Sequence, residues 1–305
     1  DYFHRHILSM GLTRSSNANS GIDDDIIEIA GLPLIVEESS KPQGDITKNF
    51  RYTYTLKQDL NHPREDYVNY VVALTDQRLD TYSEFDISSI VTSATRRFNL
   101  ESNPTSIFSR PSLDASIAGF MVLLADKSFL SSQKYDLTFT GALNDSLIFS
   151  IGGFHDHRKF LINDLKSGYI NGLAFSNSYM SDSDVLTKFE YEYSKYNAKV
   201  SYETYQSNSF GLNITSALVR GWSFKASLLH TQKSHFADFP IFGKKKEEIN
   251  SAKIEFSKTS SDKCLFASYR VAKNDNRSSI DIYSRSNLQV TADFSYVCLM
   301  NDPGK

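Results

Sequence analysis

The chain has 305 residues, a net charge of −3 and a mean hydropathy of −0.37. It contains no run of about eighteen apolar residues, which excludes a membrane-spanning helix. The near-neutral charge gives no basis for nucleic-acid binding, because that binding depends on a strongly basic surface. Tyr, Phe, Thr and Ile are frequent and Pro is scarce, and this composition favours β-strands.

Runs with strand-like alternation follow one another along the whole chain. In residues 189–193, Phe-Glu-Tyr-Glu-Tyr, aromatic and charged side chains alternate strictly, and residues 50–57, 135–140, 222–228 and 252–257 follow the same rule. A period of two indicates strands whose two faces meet different surroundings. In chain order, the predicted strands are residues 2–14, 25–37, 46–59, 65–76, 84–97, 108–124, 131–143, 146–158, 167–179, 184–195, 200–217, 220–233, 246–259, 261–274 and 283–299.

The length of these runs predicts a barrel that crosses a membrane. Most runs reach or exceed the roughly 9–11 residues that a tilted membrane strand needs, whereas strands of soluble proteins average about 5–6. Bacterial single-chain barrels have an even number of strands, but fifteen runs are present. We therefore predict an all-β, antiparallel transmembrane β-barrel of about fourteen strands, with sixteen next, and place the miscounted run between residues 84 and 124.

The predicted connections alternate between short turns and longer polar loops. Outer-membrane barrels have this pattern, with short periplasmic turns and longer surface loops. The short turns are at residues 144–145, 220–221 and 259–262, and the long loops are at residues 15–24, 237–247 and 274–282. We therefore expect residues 1–305 to form a single barrel domain in the bacterial outer membrane.

The last predicted strand has an informative spacing. It carries a polar residue at Gln289, a small one at Thr291 and aromatic residues at Phe294 and Tyr296. This spacing resembles the signal that outer-membrane barrels carry on their last strand for the barrel-insertion machinery. The resemblance implies that these four residues direct assembly and that the insertion machinery is a partner.

The chain has two cysteines, Cys264 and Cys298, on the last two predicted strands. Their midpoint, residue 281, falls within the predicted loop 275–282, so a hairpin could place the two thiols opposite each other. The periplasm permits a disulfide between them. The alternative is two separate thiols that act as small apolar side chains, because a shift of one residue in register changes the face of a side chain.

His155, Asp156 and His157 form the densest group of ligand-type residues. On a strand, His155 and His157 share one face and Asp156 lies on the other. The two histidines could bind a metal ion or act as acid and base in a hydrolase, with a further group from a neighbouring strand. The alternative is a polar part of the barrel wall or rim. We predict no catalytic residues, no metal ligands and no cofactor.

Several short motifs resemble one family of outer-membrane proteins. Residues 11–19, Gly-Leu-Thr-Arg-Ser-Ser-Asn-Ala-Asn, are similar to the first strand and loop of that family, and residues 210–213, 221–222 and 276–279 are similar to later parts. The family is that of the surface lipoprotein assembly modifiers, which join a periplasmic tetratricopeptide-repeat domain to an outer-membrane barrel. The chain starts at Asp1 without a signal peptide, and we expect it to be a fragment that lacks the upstream repeat domain.

The resemblance implies a translocation barrel that assists export or surface display of a client protein or lipoprotein, without enzymatic activity. A polysaccharide-export or solute-conducting porin is the alternative, and a hydrolase that uses His155, Asp156 and His157 is the second alternative. The side chains expected to face the lumen are mixed in sign and do not decide between these functions. They include Arg51, Lys57, Glu190, Glu192, Lys225, Lys253 and Glu255.

The expected partners are outer-membrane lipids, lipopolysaccharide and a secreted client protein, and nucleic acid is not among them. The charged run at residues 244–248, Lys-Lys-Lys-Glu-Glu, predicts a solvated surface loop or a contact with anionic lipopolysaccharide. We expect the barrel to be a monomer.

Overall fold

The computed structural model describes residues 2–29, 32–60, 66–101, 108–240, 242–261 and 264–301. Within them, fourteen antiparallel strands close into one barrel, and two further strands form a separate hairpin. The barrel strands are β1 (Tyr2–Ser15), β4 (Asp45–Asp59), β5 (Tyr67–Leu79), β6 (Ile87–Asn99), β7 (Ser109–Leu124), β8 (Lys127–Asn144), β9 (Leu147–Phe160), β10 (Gly168–Met180), β11 (Val185–Ala198), β12 (Tyr205–Ala217), β13 (Trp222–Phe239), β14 (Gly243–Thr259), β15 (Leu265–Ser278) and β16 (Arg285–Asn301). The hairpin consists of β2 (Ile26–Ile29) and β3 (Leu32–Ile35). No helix in the described part of the chain is both long and apolar enough to span a bilayer.

The barrel strands contain 13 to 18 residues each, which is long enough to cross a bilayer when tilted. Each strand pairs with its neighbours along the chain, and β16 pairs with β1 to close the cylinder. The terminal end of the barrel is the end at which β1 begins and β16 finishes. The loop end is the opposite one, where residues 16–44 connect β1 to β4.

The predicted fold class and the predicted number of barrel strands are confirmed. The miscounted run, however, is residues 25–37, within which β2 and β3 pair with each other in the connection between β1 and β4. The suspected region, residues 84–124, contains two barrel strands, as its pattern predicted. The sequence does not distinguish β2 and β3 from barrel strands, because they have strand-like composition but pair only with each other.

Two of the predicted long loops are mostly strand. Within residues 237–247, β13 continues to Phe239 and β14 already begins at Gly243. β15 continues to Ser278 within the predicted loop at 274–282. Side chains such as Lys246 and Glu248 make these strand ends polar and give them the composition of a loop. The physical reason is that a strand beyond the lipid does not need an apolar outer face.

The pairing register places unlike side chains on the two faces of the wall. On the outer face, large apolar side chains are left uncovered by protein, and Leu173 is 62% exposed. On the inner face, hydroxyl groups of neighbouring strands bond each other, as Ser9 does with Ser295 at 2.8 Å and Thr13 with Thr291 at 2.9 Å. The outer surface is therefore suited to lipid and the inner surface to water. Other exposed apolar side chains on the outer face are Met10, Leu12, Ile117, Leu137, Ile151, Leu228, Ile254, Leu265 and Tyr269.

Four connections at the loop end close in the same way. Each contains one 3₁₀ turn, and a side-chain oxygen just before the next strand accepts a hydrogen bond from the last backbone N–H of the preceding strand. The four bonds run from Leu79 to Asp86 (2.8 Å), from Phe160 to Ser167 (2.9 Å), from Ala198 to Thr204 (3.1 Å) and from Ser278 to Ser284 (3.0 Å). The four turns are Ser83–Phe85, Asp164–Lys166, Ser201–Glu203 and Asp281–Tyr283, and two further 3₁₀ segments are Glu38–Ser40 and Val219–Gly221. Because these polar side chains satisfy the strand ends, neighbouring strands are joined without long loops.

Two asparagines hold the connection between β1 and β4 in place. Asn17 is buried, accepts a hydrogen bond from the backbone N–H of Gly21 at 2.7 Å and donates to the carbonyl of Ser286 at 3.1 Å. Asn19 accepts a hydrogen bond from the backbone N–H of Gln43 at 2.9 Å. Both asparagines of the motif at the start of the chain therefore have a structural role, and Asn17 ties the connection to the closing hairpin.

Candidate functional site: the barrel lumen

Charged side chains line the inner wall along much of the barrel. Residues directly opposite each other on paired strands share a face. Arg51 lies opposite Ser9, which is on the inner face, and Lys225 lies opposite Glu255. All seven residues that the alternation predicted to face the lumen lie on the inner face: Arg51, Lys57, Glu190, Glu192, Lys225, Lys253 and Glu255. The inner wall is thus both charged and mixed in sign.

Most of the charged groups in the lumen are paired. Three pairs are two residues apart on one strand, where the alternation that directs both side chains inward also brings them together. Their distances are 2.8 Å for Lys134–Asp136, 2.7 Å for Arg158–Asp156 and 2.5 Å for Lys188–Glu190. Two other pairs join neighbouring strands, at 2.5 Å for Arg97–Asp114 and 3.0 Å for Arg270–Glu255. Solvated pairs of this kind stabilise a fold weakly, but they keep the wall polar without a large net charge.

The seam between the first and last strands is closed. β1 and β16 share thirteen consecutive residue pairs, from Phe3 opposite Asn301 to Ser15 opposite Gln289. A Cβ atom at Gly11 would lie 1.8 Å from Oδ1 of Asp293, so the absence of a side chain at Gly11 gives this carboxylate room beside β1. The glycine in the first predicted strand therefore has a packing role at the seam.

A polar cavity of about 450 Å³, here called the seam cavity, lies on the inner wall at this junction. The guanidinium group of Arg270 is held by Glu255 at 3.0 Å and Asp293 at 3.5 Å. Arg51 also lines the cavity, is exposed to the lumen and forms no ion pair with any described residue. Hydroxyl and amide side chains line much of the remaining surface, among them Ser9, Thr13, Asn49, Gln77, Gln289 and Ser295.

A second feature, here called the mouth cluster, is a group of buried polar and aromatic side chains at the loop end of the lumen. The imidazole of His235 is 2% exposed, with Nδ1 2.7 Å from the carbonyl of Tyr202 and Nε2 3.5 Å from Oε2 of Glu247. Nζ of Lys245 lies 3.2 Å from Oε1 of Glu247 and 3.7 Å from the centre of the Tyr283 ring. The turns that carry Tyr202 and Tyr283 therefore fold onto the inner wall and narrow this mouth.

The mouth cluster lies beyond the part of β14 that faces lipid, because the adjacent outward positions are the charged residues Lys246 and Glu248. Burial alone would raise the pKa of the Glu247 carboxyl, but the hydrogen bond with His235 and the charge of Lys245 lower it to about 2. Burial lowers the pKa of the Lys245 ammonium group. Glu247 therefore stays charged down to strong acid and compensates the buried lysine.

The charged run at residues 244–248 is not the solvated loop that its composition predicted. It forms the start of β14, where the side chains of Lys245 and Glu247 are only 9% and 11% exposed. Lys246 and Glu248 are on the outer face. The run alternates between the two faces of β14, but its residues are charged on both faces, so the sequence shows no alternation of polarity. The sequence therefore did not predict the mouth cluster. A contact of the outward charges with lipopolysaccharide stays a prediction.

The predicted cluster at residues 155–157 is divided between the two faces of β9. Asp156 faces the lumen, is 4% exposed and pairs with Arg158 at 2.7 Å. His155 and His157 face outward, and Nδ1 of His155 lies 2.7 Å from Oδ1 of Asn171. Among the described residues, no group of three or more His, Cys, Asp or Glu side chains could hold a metal ion. This arrangement fits a polar part of the wall and gives the hydrolase alternative no support.

The possible disulfide is not formed, and the alternative of two separate thiols holds, because Cys264 and Cys298 are not bonded to each other. The backbone N–H of Val297, and not that of Cys298, donates to the carbonyl of Cys264 at 2.7 Å. Cys298 pairs instead with His6 across the seam. The register therefore differs by one residue from the one that the disulfide requires, and the two side chains belong to opposite faces of the wall.

The four residues of the predicted assembly signal all lie on β16, the strand that closes the barrel. Gln289 and Thr291 face the lumen, and Thr291 bonds Thr13 of β1. Phe294 and Tyr296 face outward and are 69% and 49% exposed. Recognition of these residues by the insertion machinery stays a prediction.

A closed wall of fourteen long strands, apolar outside and charged inside, defines a transmembrane β-barrel protein. The protein is a β-barrel of the bacterial outer membrane, and solved structures of such barrels share its fold.

Three of these structures have TM-scores of 0.50 or more with this chain. A Pseudomonas aeruginosa FadL homologue is 9% identical, with a TM-score of 0.52, and the match covers 97% of this chain and 90% of that chain. An anion-selective porin from Comamonas acidovorans is 8% identical, with a TM-score of 0.50, and the match covers 98% and 99% of the two chains. The OmpT loop L8 deletion mutant from Vibrio cholerae is 8% identical, with a TM-score of 0.50 and 98% coverage of both chains.

At these identities the similarity concerns the fold alone. No protein-family model matches the chain. No curated protein matches it either.

Proposed function

We propose that the barrel is a channel that conducts small water-soluble solutes across the outer membrane. The inner wall is the observation that supports this function best, because its paired charges and hydroxyl groups suit a water-filled path. The similarity of fold to a porin supports the proposal at the level of architecture. The conducting function therefore ranks above the translocation of a client protein.

The proposal includes an orientation in the membrane. Outer-membrane barrels have short periplasmic turns and longer outer loops. Residues 16–44 form the longest connection between barrel strands and lie at the loop end. We infer that the loop end, with the mouth cluster, faces the outside and that the terminal end faces the periplasm.

Export of a client protein stays a hypothesis that rests on the resemblance to the surface lipoprotein assembly modifiers. Lateral release of a client would require the β1–β16 seam to open, and this seam has thirteen residue pairs. The β4–β5 junction has as many, from Thr47 opposite Leu79 to Asp59 opposite Tyr67. In the described part of the wall, the seam therefore has as many residue pairs as this ordinary junction, and no feature there favours export over conduction.

Planar-bilayer recording tests the proposed channel. We expect the folded protein to add stepwise increases in conductance in concentrated salt, because a water-filled lumen carries ions. The same protein unfolded by heat is the control and is expected to add none. Folded protein that inserts into the bilayer without any conductance step would refute the channel proposal.

A further inference from the structure

Three cations lie on the inner wall of β1 and β4. Arg5, Arg51 and Lys57 are exposed on the inner face, and none forms an ion pair with a described residue. Arg51 and Lys57 are separated by about 20 Å along β4, and Arg5 lies opposite Thr55, between them. These three residues form a basic track that runs from the middle of the lumen to the terminal end.

Arg51 is the member of the basic track that lines the seam cavity. The other guanidinium group there, that of Arg270, is neutralised by Glu255 and Asp293. Asp293 also interacts electrostatically with Arg51, but no contact within ion-pair distance joins them. The cavity therefore combines one cation that is available to a ligand with carboxylates already engaged by Arg270.

The rest of the lining has the chemistry of a site for a hydroxyl-rich molecule. Ser9, Ser295 and Thr291 offer hydroxyl groups, and Asn49 and Gln289 offer amides that can both donate and accept hydrogen bonds. A volume of about 450 Å³ falls in the range of small-molecule sites. An uncharged apolar solute would displace water from these groups without replacing the hydrogen bonds of that water, and such a loss is costly.

We propose that the seam cavity binds a small anion that also carries several hydroxyl groups, such as a sugar phosphate or a sugar acid. The guanidinium of Arg51 binds the phosphate or carboxylate, because its planar N–H donors match these oxygens. The hydroxyl and amide side chains bind the sugar hydroxyls. Arg5 and Lys57 guide the anion between the cavity and the terminal end. This assignment rests on the proposed channel function and specifies its substrate class.

Interruption of the single-channel current measures binding directly. Glucose 6-phosphate and gluconate, added separately, are expected to interrupt the current at concentrations at which glucose does not. Inorganic phosphate is the probe for the charge alone, and we expect it to bind more weakly than glucose 6-phosphate because it cannot use the hydroxyl and amide groups. Comparison of the two sugar anions identifies the preferred acidic group.

A matched pair of variants locates the site. Arg51→Gln removes the cation of the cavity and is expected to weaken the block by about tenfold, as for the loss of a charge-assisted hydrogen bond. Arg96→Gln removes the same charge from the outer face of β6, where Arg96 lies over the ring of Phe98 at 4.5 Å. The Arg96 variant is expected to leave the block unchanged.

The outcomes separate this inference from the channel proposal on which it rests. A wild-type protein without conductance would refute the channel itself. A conducting protein that no sugar anion blocks, or one blocked equally in the Arg51 and Arg96 variants, would overturn only the seam-cavity assignment. An equal block by inorganic phosphate and glucose 6-phosphate would contradict the role of the hydroxyl and amide groups.

Discussion

Arginine in place of Leu173 is expected to lower the free energy of unfolding of the barrel by about 2–4 kcal/mol. Leu173 lies near the middle of β10 on the outer face and is 62% exposed, so an arginine there points into the bilayer. Its cross-strand neighbours, Gly153 and Tyr193, carry no charge that could compensate the guanidinium. The cost arises because a charged group loses its hydration in lipid.

The adjacent residue provides the control. Ala174 faces the lumen and lies opposite Glu192, so Ala174→Arg places the same group in water beside a carboxylate and is expected to change stability by less than about 1 kcal/mol. Urea unfolding in lipid vesicles, followed by fluorescence of Trp222, the only tryptophan, measures both variants. Equal losses for the two variants would contradict the assignment of the faces.

Loss of the carboxylate of Glu247 is expected to lower the free energy of unfolding by about 3 kcal/mol in Glu247→Gln. The change leaves Lys245 buried without its counter-charge and weakens the contact with His235. The expected cost is at the low end for a broken buried pair because the lysine can lose its proton instead. Glu190→Gln is the control, since the Lys188–Glu190 pair is solvated and is expected to contribute less than about 1 kcal/mol.

The pH dependence of stability is a second test of the mouth cluster. The pKa of Glu247 is lower in the fold, about 2, than its ordinary value of 4.5. Its stabilisation is therefore fully present above pH 4.5 and is lost as the pH falls towards 2. We expect Glu247→Gln to lack this part of the acid-induced loss. Parallel acid profiles for the wild type and the variant would exclude the ionised carboxylate as the source of the stability.

The sequence predicts the fold well because one physical rule acts along the whole wall. A strand between lipid and water must alternate, and residues 189–193 therefore reveal both their conformation and their faces. The same rule correctly placed Arg51 and Glu255 in the lumen. At residues 237–247, beyond the lipid, the outer face need not be apolar. Polar side chains there occupy both faces, and the pattern no longer distinguishes a strand from a loop.

The features that the sequence does not predict depend on pairing between distant residues. Cys264 and Cys298 were one residue away from the register of a disulfide, and no local property of β15 or β16 fixes such a shift. The mouth cluster requires the turns with Tyr202 and Tyr283 to fold against His235 of β13 and Lys245 of β14. The seam cavity likewise forms only because the first strand meets the last.

Site-directed nitroxide labelling along β4 tests the central claim most directly. Cysteines are introduced one at a time at residues 50–55 after replacement of the two native cysteines by serine, and the labelled protein is placed in lipid vesicles. The labels at 51, 53 and 55 are expected to collide mainly with a water-soluble nickel chelate, and those at 50, 52 and 54 mainly with oxygen dissolved in the lipid. Loss of this alternation, with water reaching both faces, would contradict a membrane barrel with a wet interior.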